Sequence, residues 1–236
     1  MIRTVAETGS TNADLIARLG AGELVPEGEW LVADRQNAGR GRQGRSWFDG
    51  HGNFMGSTVV HPGAGDPPAH TLALVAGLAV YEAVQPLCPS PAALMLKWPN
   101  DLLLGEAKLC GILLERAGDA VVIGIGVNLA AAPDLPGRKT IALSAFGPAP
   151  DRDAFASALE VSLDRELERW RMYGLAPIIR RWLAAGTPEG TQLSVHEPDG
   201  NVVQGRFAGL DAAGTLQLRL EDGAVRAIHA GDVMLA

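Results

Sequence analysis

Apolar residues recur along this chain with two different spacings. A spacing of three to four residues predicts four helices. They cover a segment that starts at Thr11 and ends at Gly20-Ala21-Gly22, then Pro67–Val84, Asp151–Tyr173 and Leu175–Ala185. The third is the clearest, because its apolar residues fall on one stripe, namely Phe155, Leu159, Leu163, Leu167 and Trp170.

Short apolar runs bounded by turn residues predict strands between these helices. They are Trp30–Asp34, Phe54–His61, Leu94–Trp98, Leu102–Leu104, Leu109–Glu115 and Val121–Leu129. A loop rich in proline, glycine and alanine follows at Pro133–Pro150.

The pattern changes from about Gly190. Short β-like runs then alternate with the hairpin signals Asp199-Gly200, Ala213-Gly214 and Asp222-Gly223. The runs are Gln192–His196, Val202–Leu210, Thr215–Leu220 and Ala224–His229. We predict an α/β (α+β) core, a mixed sheet covered by helices, followed by a small β-barrel.

Charge and composition narrow the class of protein. The 236 residues carry a net charge of −7, and the isoelectric point is about 5.2. That balance argues against a protein that coats nucleic acid, which needs a broad basic face. The N-terminus lacks the apolar core of a signal peptide, and no apolar stretch is long enough to span a bilayer. We therefore expect a cytoplasmic protein without nucleic-acid or membrane partners.

Cysteines and histidines give no metal or disulfide pattern. The spacing of Cys88 and Cys110 fits neither a metal site nor a disulfide framework, and both are expected to be reduced and buried. The five histidines show no zinc spacing.

The segment Gly39–Trp47, GRGRQGRSW, is a cationic island on this acidic chain. Glycines let backbone N–H groups approach a ligand closely, and guanidinium groups hold phosphate or carboxylate with two hydrogen bonds. The segment lies between two predicted strands and ends at Trp47, whose indole can cover an aromatic base. The alternative is a solvated flexible turn or a nucleic-acid-binding segment.

Two further segments contain lysines near strand ends. Lys97-Trp98-Pro99-Asn100-Asp101 presents a cation and two oxygen-bearing side chains together, and such a lysine can neutralise charge on a phosphate. Lys108 begins the run Lys108–Glu115. The alternative for the first segment is a plain turn that contains a lysine by chance. The alternative for the second is an ordinary lysine on an edge strand.

Two segments combine glycine with polar side chains. Spaced glycines in Gly124–Leu129 let a ligand or another backbone lie close, and Asn128 could hydrogen-bond a nucleotide. In Gly9–Asn12, helix capping alone would explain Ser10 and Thr11, with Asp14 at the reciprocal capping position. A capped helix start also leaves polar groups available to a small ligand.

These five segments, in this order, resemble the biotin protein ligase (biotin–[acetyl-CoA-carboxylase] ligase) family. The resemblance implies a class II synthetase-like catalytic domain over residues 1–187 and a small SH3-like barrel over 188–236. It also implies the short form of these ligases, without the DNA-binding domain that precedes the core in ligases that are also repressors. Gln43 departs from the pattern, since some relatives have a basic residue there, and 133–150 matches nothing in it.

The resemblance implies a reaction in two steps. The carboxylate of biotin attacks the α-phosphate of ATP, with Mg²⁺ present, to give biotinyl-5′-AMP and pyrophosphate. A lysine of a biotin carboxyl carrier protein domain then takes the biotinyl group and AMP leaves. The resemblance also implies that the protein forms a homodimer.

The resemblance also implies roles for individual residues. Lys97 and Arg42 are the expected catalytic cations, and Asp101 is assigned to the acceptor lysine or a metal. Biotin is assigned to Ser10, Thr11, Asn12, Gln36, Gly39, Arg40, Arg42, Lys97 and Gly111. ATP is assigned to Arg42, Arg45, Trp47, Lys108 and Asn128, with Trp47 near adenine.

Three other functions compete with this one. A lipoate-type protein ligase shares the architecture and the adenylation chemistry, but the GRGRxGRxW and KWPND segments favour biotin. A non-catalytic biotin or nucleotide sensor is the second, and the presence of Lys97 argues for activity. The third is a nucleic-acid-binding module built on the arginine loop, which the acidic balance disfavours.

Overall fold

A computed structural model of the chain describes residues 1–197 and 200–235. The predicted hairpin signal at Asp199 lies outside these residues. The four helices are α1 (Thr11–Gly20), α2 (Leu72–Val84), α3 (Arg152–Tyr173) and α4 (Leu175–Ala185). The strands are β1 (Ile2–Thr8), β2 (Trp30–Gln36), β3 (Phe54–Val60), β4 (Leu94–Lys97), β5 (Asp101–Leu104), β6 (Ala107–Ala117), β7 (Ala120–Val127), β8 (Gln192–His196), β9 (Val202–Leu210), β10 (Leu216–Arg219), β11 (Val225–Ile228) and β12 (Asp232–Leu235).

The strands form two sheets. The first has seven strands in the order β1-β2-β3-β7-β6-β5-β4. Only β1 and β2 run parallel, so this sheet is mixed, as predicted. The second is antiparallel, in the order β11-β10-β9-β8-β12. The predicted β-rich C-terminal part is therefore confirmed.

Helices cover both faces of the large sheet. Helices α2, α3 and α4 pack together over one face, where the main core lies. The predicted apolar stripe of α3 is buried in that core. Helix α1 packs over the opposite face, against β3 and β7, with a smaller core around Leu15.

Several predicted boundaries shift. The prediction of a helix from Pro67 is wrong by five residues, since α2 begins at Leu72 after a 3₁₀ turn at Ala69–Thr71. Pro67 and Pro68 lack the N–H groups that a helix interior needs. Strands β1 and β12 were not predicted.

None of the helices within the described residues is long and apolar enough to cross a membrane.

Strand β7 shows why its glycines matter. Ile123, Ile125 and Val127 face the main core, so the period of two places Gly124 and Gly126 on the other face. Gly126 lies directly opposite Gly111 of β6 in the register. We call Gly111, Gly124 and Gly126 the glycine strip.

The side chains of Trp47 and Asn12 lie on the glycine strip. A Cβ added to Gly126 would overlap the indole of Trp47, and one on Gly111 would stand 2.8 Å from Trp47 Cζ3. A Cβ on Gly124 would overlap the amide of Asn12. The expectation that a ligand lies close to Gly124 and Gly126 stays a prediction, and in the structure the glycine strip admits the side chains of Trp47 and Asn12.

We predict that Gly126→Ala lowers the free energy of unfolding by about 1–3 kcal/mol, because the indole of Trp47 must move aside. The measurement is urea denaturation. Gly20→Ala is the matched control, since an added Cβ there meets nothing within 4 Å. In a Trp47→Ala background the same Gly126→Ala change should cost much less. An equal cost in both backgrounds would contradict the packing argument.

Candidate functional site

One row of residues crosses four adjacent strands on the face that carries the glycine strip. Lys97 of β4 lies opposite Asp101 of β5, and Asp101 lies opposite Gly111 of β6. Gly111 in turn lies opposite Gly126 of β7. Residues directly opposite one another in a sheet share a face. On this face the charged side chains of Lys97 and Asp101 are therefore followed by two glycines, which have no side chain.

Asp101 lies between two ammonium groups. Its carboxylate is 3.2 Å from Lys97 Nζ and 2.6 Å from Lys108 Nζ. Burial alone would raise the pKa of Asp101, but the two lysines outweigh it and hold that pKa below its usual range. The carboxylate is therefore ionised at neutral pH and holds both cations at one point.

The start of α1 differs from the predicted cap. Ser10 is the N-cap, and its side chain accepts from the backbone N–H of Ala13 at 3.5 Å. Asp14 does not complete a capping box, because its carboxylate accepts from the Thr8 hydroxyl instead. Thr11 is the first helical residue, so its side chain is free of a capping role.

The arginine-glycine loop is folded rather than extended. Gly41 N–H donates to Arg45 O at 2.7 Å, and Trp47 N–H donates to Gly39 O at 2.8 Å. The chain turns through Gln43, with φ of 57°, and Gly44, with φ of 72°. Gln43 thus adopts the left-handed conformation that non-glycine residues seldom take.

Two arginines of this loop already have partners. Arg42 donates to Asn100 Oδ1 at 3.0 Å and to the carbonyl of Gly231 at 3.3 Å. Arg45 pairs with Asp232 at 2.7 Å. Burial lowers the pKa of Arg42, although the carboxylates of Asp101 and Asp232 oppose that shift.

The C-terminal sheet reaches into the site, which the sequence did not indicate. Lys97 Nζ donates to the carbonyl of Val233 at 2.8 Å. Asp232 accepts from Arg138 at 3.0 Å as well as from Arg45. Burial would raise the pKa of Asp232, but Arg45, Arg138 and Lys97 hold it below the usual value. Strand β12 thus provides both a carboxylate and a carbonyl.

The first part of the proline-rich segment 133–150, residues 133–140, forms another wall of the site. Backbone hydrogen bonds tie it to Lys108, whose N–H donates to Lys139 O at 2.8 Å and whose carbonyl accepts from Ile141 N–H at 3.1 Å. Asn128 Nδ2 donates to Ile141 O at 3.2 Å. Asn128 Oδ1 is buried and has no hydrogen-bond partner among the described residues.

A cavity of about 830 Å³ brings these groups together. Every predicted site residue lines it except Gly39, which is buried behind the loop, where an added Cβ would meet Trp47 O at 3.2 Å. The lining includes seven cationic side chains and three carboxylates. The cations are Arg40, Arg42, Arg45, Lys97, Lys108, Arg138 and Lys139. An excess of cations suits a ligand with several negative charges.

Several lining residues with clear partners were not assigned to the site from the sequence, and four of them contact its charged or polar groups. They are Ser57, Asn100, Arg138 and Asp232. Asn100 stood within the lysine-containing turn and could have been singled out there. No local pattern marks the other three as site residues.

Within residues 1–197 and 200–235, no group of three or more His, Cys, Asp or Glu side chains is placed to hold a metal ion. The cavity carboxylates of Asp101, Asp232 and Glu106 each face at least one cationic side chain instead.

Two protein families match the chain. Residues 19–128 match the biotin/lipoate A/B protein ligase family. Residues 194–235 match the biotin protein ligase C-terminal domain. The two matches fall on the large sheet and on the antiparallel C-terminal sheet.

Two solved structures share the fold over essentially the whole chain. The biotin protein ligase from Aquifex aeolicus in complex with biotin and ATP has a TM-score of 0.86 at 26% identity, covering 100% of this chain and 98% of that one. The ligase from Leishmania major in complex with biotinyl-5-AMP has a TM-score of 0.66 at 25% identity, covering 97% and 98%.

Curated relatives are closer in sequence. A biotin–[acetyl-CoA-carboxylase] ligase of Paracoccus denitrificans is 39% identical, over 91% of this chain and 92% of its own. A ligase of the same name from Mycobacterium tuberculosis is 38% identical, over 98% and 87%. With this identity over nearly full length, and with the cationic cavity in place, the chain belongs to the biotin protein ligase family.

Proposed function

We propose that this protein is an ATP-dependent ligase that activates biotin as biotinyl-5′-AMP and transfers it to a lysine of an acceptor protein. The observation that carries the proposal is the cavity itself. It gathers Lys97, Lys108 and the arginine loop around the indole of Trp47, which packs on the glycine strip, so cations converge beside an aromatic surface.

The first step joins two anions. A carboxylate oxygen of biotin attacks the α-phosphorus of ATP, the bond to the β-phosphate breaks, and pyrophosphate leaves. Negative charge grows on the α-phosphate as this happens, and preorganised cations in a partly closed site stabilise it. Lys97 is the main candidate, because its side chain is only 13% exposed and Asp101 holds it in place.

The two ends of the cavity suit the two substrates. At the end near α1, the small polar side chains of Ser10, Thr11 and Gln36 suit the uncharged ring system of biotin. Arg40 lies beside them. At the other end, the indole of Trp47 lies 5.7 Å from Lys108 Nζ, measured to the ring centroid.

That second end suits the nucleotide. The indole offers a face for adenine, and the unpaired oxygen of Asn128 can accept from an exocyclic amine. Arg42 and Arg45, on the loop, can then turn from their present partners to the phosphates.

In the second step, an acceptor lysine attacks the carbonyl carbon of the mixed anhydride and AMP leaves with the bonding electrons. The incoming lysine is largely an ammonium ion, given an ordinary lysine pKa near 10.4, so it gives one proton to bulk water before its neutral amine attacks, and the nitrogen gives its second proton to water as the amide forms. Asp101, with its lowered pKa, is a weak base. We therefore assign it to orienting the incoming amine and not to storing its proton.

Mg²⁺ fits this site as part of the ATP complex. Its coordination is normally completed by phosphate oxygens and water, with few protein ligands. The cavity carboxylates of Asp101 and Asp232 are paired with lysines and arginines, so the ion would be held mainly through the phosphates. When bound, the ion would neutralise phosphate charge.

The names of the relatives guide the choice of acceptor and substrate. Those from P. denitrificans and M. tuberculosis are named for acetyl-CoA carboxylase, so we propose a biotin carboxyl carrier protein domain as the acceptor. They favour biotin over lipoate. We further propose residues 1–187 as the catalytic domain and 188–236 as the C-terminal domain. The homodimer stays a prediction.

We predict that the protein, incubated with biotin and MgATP but no acceptor, accumulates bound biotinyl-AMP. Lys97→Met should slow pyrophosphate release roughly a hundred- to a thousandfold, since one positioned cation is lost. The bound adenylate is extracted and identified by mass spectrometry, and ATP–pyrophosphate exchange measures the rate of the first step, for which lipoate in place of biotin should give no exchange.

Lys139→Met is the matched control, because that lysine is 72% exposed and pairs with Glu106 at the rim. Near-parental turnover of the Lys97→Met variant would remove Lys97 from the central role. Absence of any adenylate in the parent would overturn the proposed function.

We predict that Arg42→Gly still forms biotinyl-AMP but releases it about tenfold faster or more. Arg42 ties the loop to the turn after β4 and to the C-terminal sheet, and that tie is lost. Release is measured by trapping with excess unlabelled adenylate. Gln43→Gly adds a glycine to the same turn without removing the tie, so its release rate should match the parent. A parental rate in Arg42→Gly would exclude the loop as a lid.

A further inference from the structure

Five polar side chains form a continuous hydrogen-bonded chain beneath the α1 end of the cavity. Thr11 N–H donates to Gln36 Oε1 at 2.8 Å, and the Thr11 hydroxyl lies 2.6 Å from the Ser57 hydroxyl. Ser57 lies 2.6 Å from Asn12 Oδ1, and Asn12 Nδ2 lies 2.8 Å from Glu115 Oε2. We call these residues the polar relay.

Four of the five relay residues are buried, and Glu115, at the end of the relay, has 27% of its side chain exposed. Thr11, Asn12, Gln36 and Ser57 are all buried. The amide of Asn12 lies against Gly124, where any side chain would overlap it. Buried polar groups of this kind hold a fixed pattern of donors and acceptors, because leaving one unpaired is costly.

Glu115 fixes which group donates and which accepts in each hydrogen bond of the relay. A carboxylate only accepts hydrogen bonds, so Asn12 must turn its amino group toward Glu115 and its oxygen toward Ser57. The Ser57 hydroxyl must then donate its single proton to Asn12. Its oxygen is left to accept from Thr11.

This direction decides what the Thr11 hydroxyl can do. Its proton has two possible acceptors, Ser57 Oγ at 2.6 Å and Gln36 Oε1 at 3.1 Å. Because the Ser57 proton is committed to Asn12, the Thr11 proton goes to the closer Ser57. Thr11 Oγ1 therefore presents only lone pairs to the cavity.

The side chain of Gln36 presents a hydrogen-bond donor to the cavity, whereas Thr11 presents an acceptor. Its oxygen is held by Thr11 N–H, so its amino group is the part left for a ligand. The cavity wall at this end thus carries an acceptor and a donor side by side. A cyclic urea, with an N–H next to a carbonyl oxygen, has the complementary pair.

We propose that Glu115 is a positioning residue for substrate recognition, which sets the Thr11 hydroxyl as the acceptor for a urea N–H of biotin. Glu115 acts through Asn12 and Ser57 and does not touch the ligand. Arg40, whose Nη1 lies 3.9 Å from the Glu115 carboxylate, balances its charge. The inference rests on the proposed function, since it takes biotin as the ligand.

The test compares biotin with its two carbamate analogues, in each of which one urea N–H is replaced by a ring oxygen. Dissociation constants are measured by calorimetry without ATP. The parent should bind the analogue whose oxygen faces Thr11 at least about tenfold more weakly than biotin, because two acceptors then face each other.

Three variants alter the direction of the relay. In Ser57→Ala the Thr11 hydroxyl loses its closer acceptor and keeps only the longer contact with Gln36 Oε1 at 3.1 Å, so it can turn and donate to the analogue, and the ratio between analogue and biotin should fall to about threefold or less. Glu115→Gln allows either direction and should also narrow the ratio. Asn12→Asp combined with Glu115→Gln restores an acceptor facing Ser57, and the ratio should return toward the parental value. Thermal unfolding of each variant checks the fold.

The outcomes separate the two claims. If the parent binds no biotin, the proposed function fails. If the parent binds biotin but all variants keep the parental ratio, the role of Glu115 is refuted. Loss of affinity for biotin and analogue alike, without change in the ratio, would mark a merely structural contribution and also refute it.

Discussion

The ion cluster of Asp101 with Lys97 and Lys108 is the interaction on which the site depends. Two ammonium groups brought together repel each other, and a buried carboxylate between them removes that repulsion while fixing their positions. The cluster joins the ends of three adjacent strands, β4, β5 and β6. The free energy needed to desolvate these charges is offset by their pairing and by the partial exposure that the cavity provides. A site that must bring two anionic substrates together thus begins from a held pair of cations.

The alternation of the sheet decides what lies next to that cluster. Because successive residues face opposite sides, the same strands that build the main core present the glycine strip to the cavity. Trp47 lies over Gly111 and Gly126, and Asn12 lies over Gly124. These side chains come from the arginine loop and from α1. The strip therefore fixes where two separate parts of the chain meet, and it places Trp47, the proposed partner of adenine, and the polar relay on one surface of the sheet.

Much of this could be predicted from the sequence, for reasons visible in particular residues. The stripe of α3 and the apolar runs of the central strands carry strong periodic signals, and the site motifs are local in sequence. Strand β1 gave no such signal, because it is an edge strand whose side chains are largely exposed. Strand β12 is four residues long, with one buried side chain. The contacts of Asp232 and Ser57 with the site arise from tertiary packing, which no local pattern encodes.

The cationic groups of the cavity are hydrogen-bonded or ion-paired to other parts of the protein. Arg45 pairs with Asp232, Arg42 donates to Asn100 and Gly231, and Lys97 donates to Val233. If these groups bind phosphate as proposed above, binding exchanges one set of partners for another, and the net gain is smaller than the bare attraction between charges. Three of their partners, Gly231, Asp232 and Val233, belong to β12 or to the turn before it. The proposed phosphate binding would therefore be energetically linked to the packing of β12 against the site.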